Sequence, residues 1–239
     1  MSFEGFGPAG LHLLNTHTII EENPAAYVIQ GDFETAGLGA IFANVANRSE
    51  TRGREVAGVP KPQVFDSETD RNGALQHLRV AYLPDGTPNG SVTPPPKEPV
   101  TPVSFNELAG TVDNLTAYFL LERQVARGGG CNLKVPVFDG RHRYDLQFSD
   151  AGQHELSPAK GQNFRGPTLA CRMARREIGG FYVDKSHEEG ASAGTIWYAQ
   201  LMPGDLAVPV RMAMDTEIGN VALFLAALRG RGVDLKLME

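Results

Sequence analysis

The sequence predicts a mainly β fold, in which a curved antiparallel sheet or an incomplete barrel wraps over one or two helices. The 239 residues include 27 glycines and 16 prolines, which indicate many turns and therefore many short elements. Hydrophobic residues make up 41% of the chain, enough for one large core, and all-β domains of this size often remain undivided. We therefore expect a single domain over residues 1–239.

The first elements have strand composition. Residues 11–20 and 26–35 are rich in β-forming side chains and flank a polar turn, which predicts an opening hairpin. Residues 36–48 carry apolar side chains at helical spacing, namely Leu38, Ile41, Phe42 and Val45. This spacing predicts a short amphipathic helix, and the alternative is a strand that contains glycines.

The middle of the chain contains strands and then a proline-rich segment. Residues 49–57 and 61–68 fit a hairpin around a turn at 58–60, and residues 74–83 alternate as a half-buried strand does, with one apolar face formed by Leu78, Val80 and Tyr82. Residues 84–102 are rich in proline, which favours extended, unpaired backbone. We expect a long surface loop there, rather than a linker between two domains.

A helix is predicted over residues 113–127. Thr111 or Asp113 can cap its start, and three glycines at 128–130 can end it. Its apolar residues form one stripe, made of Leu115, Tyr118, Phe119 and Val125. Because this stripe requires an apolar partner, we expect the antiparallel sheet to curve around the helix.

The last third of the chain predicts successive strands at 132–138, 141–149, 168–176, 194–202, 206–214 and 217–228. Asp139 and Gly140 favour a tight hairpin turn between the first two. Residues 221–228 are almost all apolar, so they fit either a buried strand or a short helix.

Composition and motifs exclude several classes of function. The net charge of −6 disfavours non-specific binding to nucleic acid, and no apolar stretch approaches the roughly 20 residues of a membrane span. Residues 5–10 match G-x-G-x-x-G, but no strand precedes them, so a dinucleotide site is not expected. The six histidines have no metal-ligand spacing. We therefore predict no catalytic residues, no metal site and no cofactor.

Two groups of side chains remain as candidates for a function or a covalent link. Asp139, Arg141, Arg143 and Asp145 concentrate charge around a predicted hairpin, where they can form cross-strand ion pairs or the rim of a polar pocket. Cys131 and Cys171 can form one disulfide or remain as two buried thiols.

The first residues lack the basic and apolar regions of a signal peptide, so the protein is either cytosolic or given without its leader.

Several segments together resemble the bacterial DUF3108 family. They cover most of the chain beyond the first strands: TAGLGAIF (35–42), PPP (94–96), GTVDNLTAY (110–118), CNLKVPVFDGRHRYDL (131–146), GPTLACRM (166–173), IGGFY (178–182) and LAVPVRM (206–212). The most specific parts are PVFDGRHRYDL and GPTLAC. The chain departs from the family where the helix commonly begins with Asp-Pro, because Asn114 follows Asp113 here.

The resemblance implies an exported protein of unknown activity, with Cys131 and Cys171 joined in a disulfide. We therefore expect a periplasmic protein whose signal peptide has been removed. The expected architecture is similar to that of periplasmic lipoprotein carriers of the LolA type.

Because no catalytic motif is found, we expect a non-catalytic binding or envelope-maintenance protein that carries a lipophilic or cell-wall-derived ligand, such as a lipid or a glycan. One alternative is an interaction module that docks to an envelope protein partner through the segment 84–102. A second alternative is a hydrolase of unknown substrate that uses scattered carboxylates or His142.

Overall fold

The computed structural model describes residues 1–37, 39–42, 44–98, 100–184, 191–216 and 219–238. The described residues form a 14-stranded sheet in which neighbouring strands are antiparallel. The first seven strands are β1 (Ser2–Phe6), β2 (His12–Glu22), β3 (Ala26–Thr35), β4 (Val45–Val56), β5 (Val59–Arg71), β6 (Ala74–Tyr82) and β7 (Pro88–Thr93). The others are β8 (Leu133–Phe138), β9 (Arg143–Leu156), β10 (Gly166–Gly179), β11 (Ala193–Gln200), β12 (Ala207–Thr216), β13 (Gly219–Gly230) and β14 (Val233–Lys236).

Two α-helices interrupt the strands, α1 (Gly39–Phe42) and α2 (Asn114–Ala126), and short 3₁₀ turns lie at Pro8–Gly10 and Phe105–Glu107. None of the helices in the described ranges is long and apolar enough to cross a membrane.

The sheet runs from β7 through β6, β5, β4, β3 and β2 to β1, continues with β13, and then runs back through β12 to β8, while β14 pairs with β13 alone. Its two ends approach each other at one point. There Gly90 of β7 lies so close to Phe138 of β8 that a β-carbon at position 90 would be 2.5 Å from the ring. Phe138 also packs with Phe65 and Val80 in one apolar cluster. The sheet therefore curls into a nearly closed barrel, and the predicted fold class is confirmed.

Helix α2 lies against the concave face of this sheet. Asp113 caps it, because the carboxylate accepts a hydrogen bond of 2.9 Å from the Thr116 N–H. On one side Leu121 and Val125 join a core cluster with β8 to β11, and on the other side Phe119 packs against Tyr27 of β3. Because the helix buries side chains toward both halves of the sheet, it occupies the centre of the barrel.

The predicted helix over residues 36–48 is wrong for most of its length. Only Gly39–Phe42 is helical, and the chain enters β4 at Val45. From there the pattern is that of a strand, since Val45, Ser49 and Thr51 are buried and the residues between them are exposed or half-buried. The pairing of β4 with both β3 and β5 outweighs a helical spacing of a few apolar residues. Leu38 and Ala43, which belong to the predicted helix, lie outside the described residues.

The expectation of an unpaired loop over residues 84–102 is also wrong in part. Pro88–Thr93 forms β7, which pairs with β6 from Tyr82 opposite Pro88 to His77 opposite Thr93. Proline is tolerated here because it is the first residue of a strand at the end of the sheet, where fewer backbone donors are required. The prolines Pro94–Pro96 follow this strand and are irregular.

Sequence patterns did not reveal β1, which links the two halves of the sheet by pairing with both β2 and β13. They also did not reveal the short strand β14. The apolar residues 221–228 lie within β13, so the strand alternative is the right one. The apolar face predicted from Leu78, Val80 and Tyr82 is confirmed, since Val80 is fully buried and Tyr82 packs against the apolar cluster that contains Val80.

Candidate binding pocket

The turn between β8 and β9 is held together by one carboxylate. Asp139 Oδ1 accepts hydrogen bonds from the backbone N–H groups of Arg141 (3.0 Å) and His142 (2.7 Å), and Oδ2 lies 2.9 Å from His142 Nδ1. Burial of Asp139 disfavours its charged form, but the nearby His142 ring and the two N–H donors hold the pKa of Asp139 below its usual value. The carboxylate is therefore ionised at neutral pH and fixes the conformation of the turn.

Gly140 brings this turn against the other end of the sheet. Its φ is +103°, in the region that favours glycine, and a β-carbon would lie 3.0 Å from the Arg79 carbonyl oxygen and 3.1 Å from that of Ser91. The turn thus packs directly on β6 and β7, at the place where the barrel nearly closes.

The guanidinium group of Arg141 is held in one orientation. Its Cζ lies 4.0 Å from the centroid of the Tyr182 ring, and its Nε donates a hydrogen bond of 3.1 Å to the Gly180 carbonyl oxygen. The segment of Gly180 is itself anchored, since Gly180 N–H donates to the Thr101 oxygen and Thr101 N–H donates to the Phe181 oxygen, both at 2.7 Å. The segment after β10, at Gly180 and Phe181, is thereby joined to Thr101, which follows the prolines Pro94–Pro96.

These contacts create a pocket of about 380 Å³, which we call the proline-lined pocket. Its walls are the end of the β5–β6 hairpin, the segment Pro94–Glu98, and the side chains of Arg141, His142 and Tyr182. The combination of apolar and aromatic walls with a few fixed polar groups is typical of small-molecule sites.

A larger groove of about 900 Å³ crosses β8 to β13, but it contains none of the four charged residues predicted for a pocket rim. Short side chains such as Ala174, Ala193 and Ala213 form part of its lining, so it is an open depression in the sheet surface. We therefore regard the proline-lined pocket as the candidate site.

The structure separates the four residues predicted as a pocket rim into two pairs. Arg141 lines the pocket and Asp139 shapes its turn, whereas Arg143 and Asp145 do not line it. Arg143 is buried, donates to Asp145 Oδ1 at 2.8 Å, and donates through Nε to the Glu107 carbonyl oxygen at 2.7 Å. Of the two roles predicted for these charged residues, Arg143 and Asp145 form an ion pair and do not form a pocket rim.

Asp145 is a buried carboxylate that three cations contact from three strands. Arg176 of β10 and Lys134 of β8 lie 2.8 and 3.0 Å from its Oδ2, in addition to Arg143. Burial opposes ionisation, but the hydrogen bonds from Arg176, Arg143 and Lys134 lower the pKa of Asp145 to about 2. The cluster ties β8, β9 and β10 together just beyond the pocket.

We expect Asp145→Asn to lower the free energy of unfolding by about 2 kcal/mol at neutral pH, because it removes the charge that three cations share. Since the folded pKa lies below the unfolded one, this contribution is present above pH ~4 and is lost as the pH falls toward ~2. Urea unfolding at pH 7 and pH 3 should thus show a smaller difference between the two proteins at pH 3.

The matched control is Asp234→Asn, which removes an exposed ion pair with Arg229 and should cost under about 1 kcal/mol. Equal effects of the two substitutions at pH 7 would contradict the role assigned to Asp145.

The two cysteines lie at disulfide distance, as the family resemblance implies. Their sulfur atoms are 1.95 Å apart, and both residues are fully buried in the core cluster that contains Leu121. The Cys131 N–H also donates to Asp150 Oδ1 at 2.9 Å. A bonded sulfur cannot act as a nucleophile, so the site must be sought elsewhere.

Within the residues that the structure describes, no group of three or more His, Cys, Asp or Glu side chains could hold a metal ion. His187, one of the histidines considered from the sequence, lies outside those residues. The contributions of Lys97 and Tyr182 to the pocket were not predicted, because nothing in the local sequence shows which distant segments meet.

Comparisons with known proteins identify a family and a fold. The family model described as "Protein of unknown function (DUF3108)" matches residues 1–226. No curated protein matches the chain. The chain is similar to the crystal structure of a β-barrel-like protein of a domain of unknown function, DUF1849, from Brucella abortus, with 11% sequence identity, a TM-score of 0.53 and coverage of 93% of both chains. At this identity the similarity shows the fold alone.

Proposed function

The chain belongs to the DUF3108 family of proteins of unknown function, and from this premise we propose that it is a non-catalytic binding protein of the cell envelope. We place its ligand, a cell-wall-derived fragment, in the proline-lined pocket. One observation carries the proposal: three segments that resemble the family, PPP (94–96), the 131–146 segment and IGGFY (178–182), each contribute residues to this pocket. They are far apart in the sequence, so their meeting is a property of the fold.

The Cys131–Cys171 disulfide supports a periplasmic location, because disulfides form and persist in oxidising compartments. A periplasmic protein encounters glycan and peptide fragments of the cell wall. Both the location and the ligand belong to the proposal.

The position of α2 favours a cell-wall fragment over a lipid. The concave face, where a lipid carrier would hold acyl chains, is packed by the helix through residues such as Ala117 and Leu121, which are fully buried. The proline-lined pocket is smaller and its lining includes Thr69, Gln76 and charged side chains. A volume of about 380 Å³ suits a sugar or a short peptide, and the Tyr182 ring can pack against a sugar face.

Exposed apolar side chains favour docking to an envelope protein as a second candidate function. Leu75 lines the pocket and is 58% exposed, and Val183 follows Tyr182 and is 64% exposed. Replacement of Pro94–Pro96 by Gly-Ser-Gly with no loss of partners in an envelope pull-down would count against this candidate.

The experiment that tests the ligand proposal is native mass spectrometry of the protein purified from its own envelope, compared with Tyr182→Ala. We expect a glycan- or peptide-sized adduct on the wild-type protein and a loss of at least about tenfold in its occupancy in the variant, because the ring forms one pocket wall.

The control is Arg229→Ala in β13, whose exposed ion pair is far from the pocket segments in the sheet order. The proposal fails if the wild-type protein carries no adduct and binds no soluble wall fragment, or if Tyr182→Ala retains the adduct fully.

A further inference from the structure

We infer that the proline-lined pocket recognises an anionic group of its ligand, a carboxylate or a phosphate, and that Arg141 is the residue that binds it. The inference rests on the proposed function, since it names the chemistry of the ligand at the same site. It is carried by the charges of the lining side chains and by the way Arg141 is held.

Arg141 presents a positive charge that no carboxylate in the described part of the chain neutralises at ion-pair distance. Its contacts are the Tyr182 ring, at 4.0 Å, and the Gly180 carbonyl oxygen, at 3.1 Å from Nε. Neither contact removes the charge, and Nη2 is buried without an acceptor among the described residues. Because a guanidinium group has five N–H donors, most of the hydrogen-bonding capacity of Arg141 is unused.

A second cation faces the same space. Lys97 lines the pocket next to the prolines, and its ammonium group makes no ion pair or hydrogen bond with the described residues. Arg71 and Glu98 also contribute to the lining, so the lining carries three permanent cations and one carboxylate.

Asp139, the acid that shapes the turn beside the pocket, is occupied. Its carboxylate contacts His142 Nδ1 and two backbone N–H groups, so its negative charge is directed into the turn. The pocket is therefore a positive region on a chain whose net charge is −6. Such a region concentrates anions at the surface of an otherwise acidic protein.

Geometry favours a planar or tetrahedral oxyanion. The stack on Tyr182 and the hydrogen bond to Gly180 fix the plane of the guanidinium group before a ligand arrives. A guanidinium group that is already fixed in one orientation loses little side-chain freedom when an oxyanion binds to it, unlike the flexible ammonium of a lysine. Lys97 would add a second, more mobile charge.

The test uses three sugars that share one ring and differ in their acidic group: N-acetylglucosamine, which is neutral, N-acetylmuramic acid, which adds a lactyl carboxylate, and N-acetylglucosamine 6-phosphate, which adds a phosphate. Each is titrated into ¹⁵N-labelled protein, and the dissociation constant is taken from the amide shifts of Gly180 and His142. We expect at least one of the two acidic sugars to bind about tenfold more tightly than the neutral sugar. The acidic sugar that binds more tightly identifies the oxyanion.

Arg141→Gln should abolish this preference, and Lys97→Gln, at an exposed position where folding is not at risk, should reduce it about threefold. Arg229→Gln should leave it unchanged. If all three sugars bind wild-type protein equally, the inference of an anionic group is overturned while binding at the pocket stands. If none of the three sugars binds, this inference fails, whereas the proposed function fails only if soluble wall fragments, including peptides, also do not bind.

Discussion

Replacement of Cys131 and Cys171 by alanine is expected to lower the free energy of unfolding by about 4 kcal/mol. The disulfide closes a loop with a sequence separation of 40, and cross-linking a loop of this length reduces the conformational entropy of the unfolded chain by about that amount. The bridge joins the segment just before β8 to β10, next to α2, so its loss also loosens the attachment of the helix to the sheet. Urea unfolding of the double variant and of the wild-type protein measures the difference.

Wild-type protein unfolded and refolded in a thiol reductant provides the control, because it lacks the covalent bond but keeps both side chains. It should lose a similar free energy of unfolding. A loss below about 1 kcal/mol in both experiments would show that the bridge does not stabilise this fold.

Asp113→Ala is expected to lower the free energy of unfolding by about 3 kcal/mol. Asp113 is fully buried and accepts hydrogen bonds from the Thr51 hydroxyl (2.6 Å), the Thr116 N–H (2.9 Å) and the Thr116 hydroxyl (2.8 Å). Alanine removes the helix cap, which is worth about 1 kcal/mol, and leaves buried hydroxyl donors without an acceptor, which costs about 1–3 kcal/mol. Chemical denaturation at pH 7 measures the loss.

Asp113→Asn is the matched control, because it keeps an oxygen that can accept the cap hydrogen bond. Burial raises the pKa of Asp113 despite the hydrogen bonds from Thr51 and Thr116, so the buried charge itself opposes folding. We therefore expect the asparagine variant to lose less than about 1 kcal/mol.

Since the folded pKa of Asp113 exceeds the unfolded one, its unfavourable contribution vanishes as the pH falls below the unfolded value. The wild-type protein should thus gain stability relative to Asp113→Asn on acidification. If the Asp113→Asn protein is as unstable as the Asp113→Ala protein at pH 7, the conclusion that the buried charge of Asp113 opposes folding is contradicted.

Local patterns predicted the elements whose buried side chains recur at a regular spacing. The helix over 113–127 and the alternation of Leu78, Val80 and Tyr82 are examples, because each has apolar residues at the spacing of its own secondary structure. The segment 36–48 misled the prediction because its short apolar spacing is overruled from Val45 onward by pairing with two strands. β7 was missed because a proline-rich composition does not show that an edge position tolerates proline.

The candidate site was predictable only in part. The cluster around residues 139–145 is visible in the sequence, but which members share a face depends on where β9 begins. Arg141 lies in the turn before β9 and Arg143 is the first residue of β9, so the two do not share one face of a strand. Tyr182 and Lys97 reach the pocket through the near closure of the barrel and the pairing of Thr101 with Gly180 and Phe181, which no local pattern encodes.

The most direct test of binding at the proline-lined pocket is a map of amide shift changes as soluble cell-wall fragments are added to ¹⁵N-labelled protein. We predict that the changes concentrate in three segments, the amides of Lys97, Glu98, Val100 and Thr101, those at 139–142 and those at 180–182, and that Tyr182→Ala removes them. Changes confined to the groove across β8 to β13, or no changes at millimolar fragment, would contradict the assignment of the pocket as the binding site.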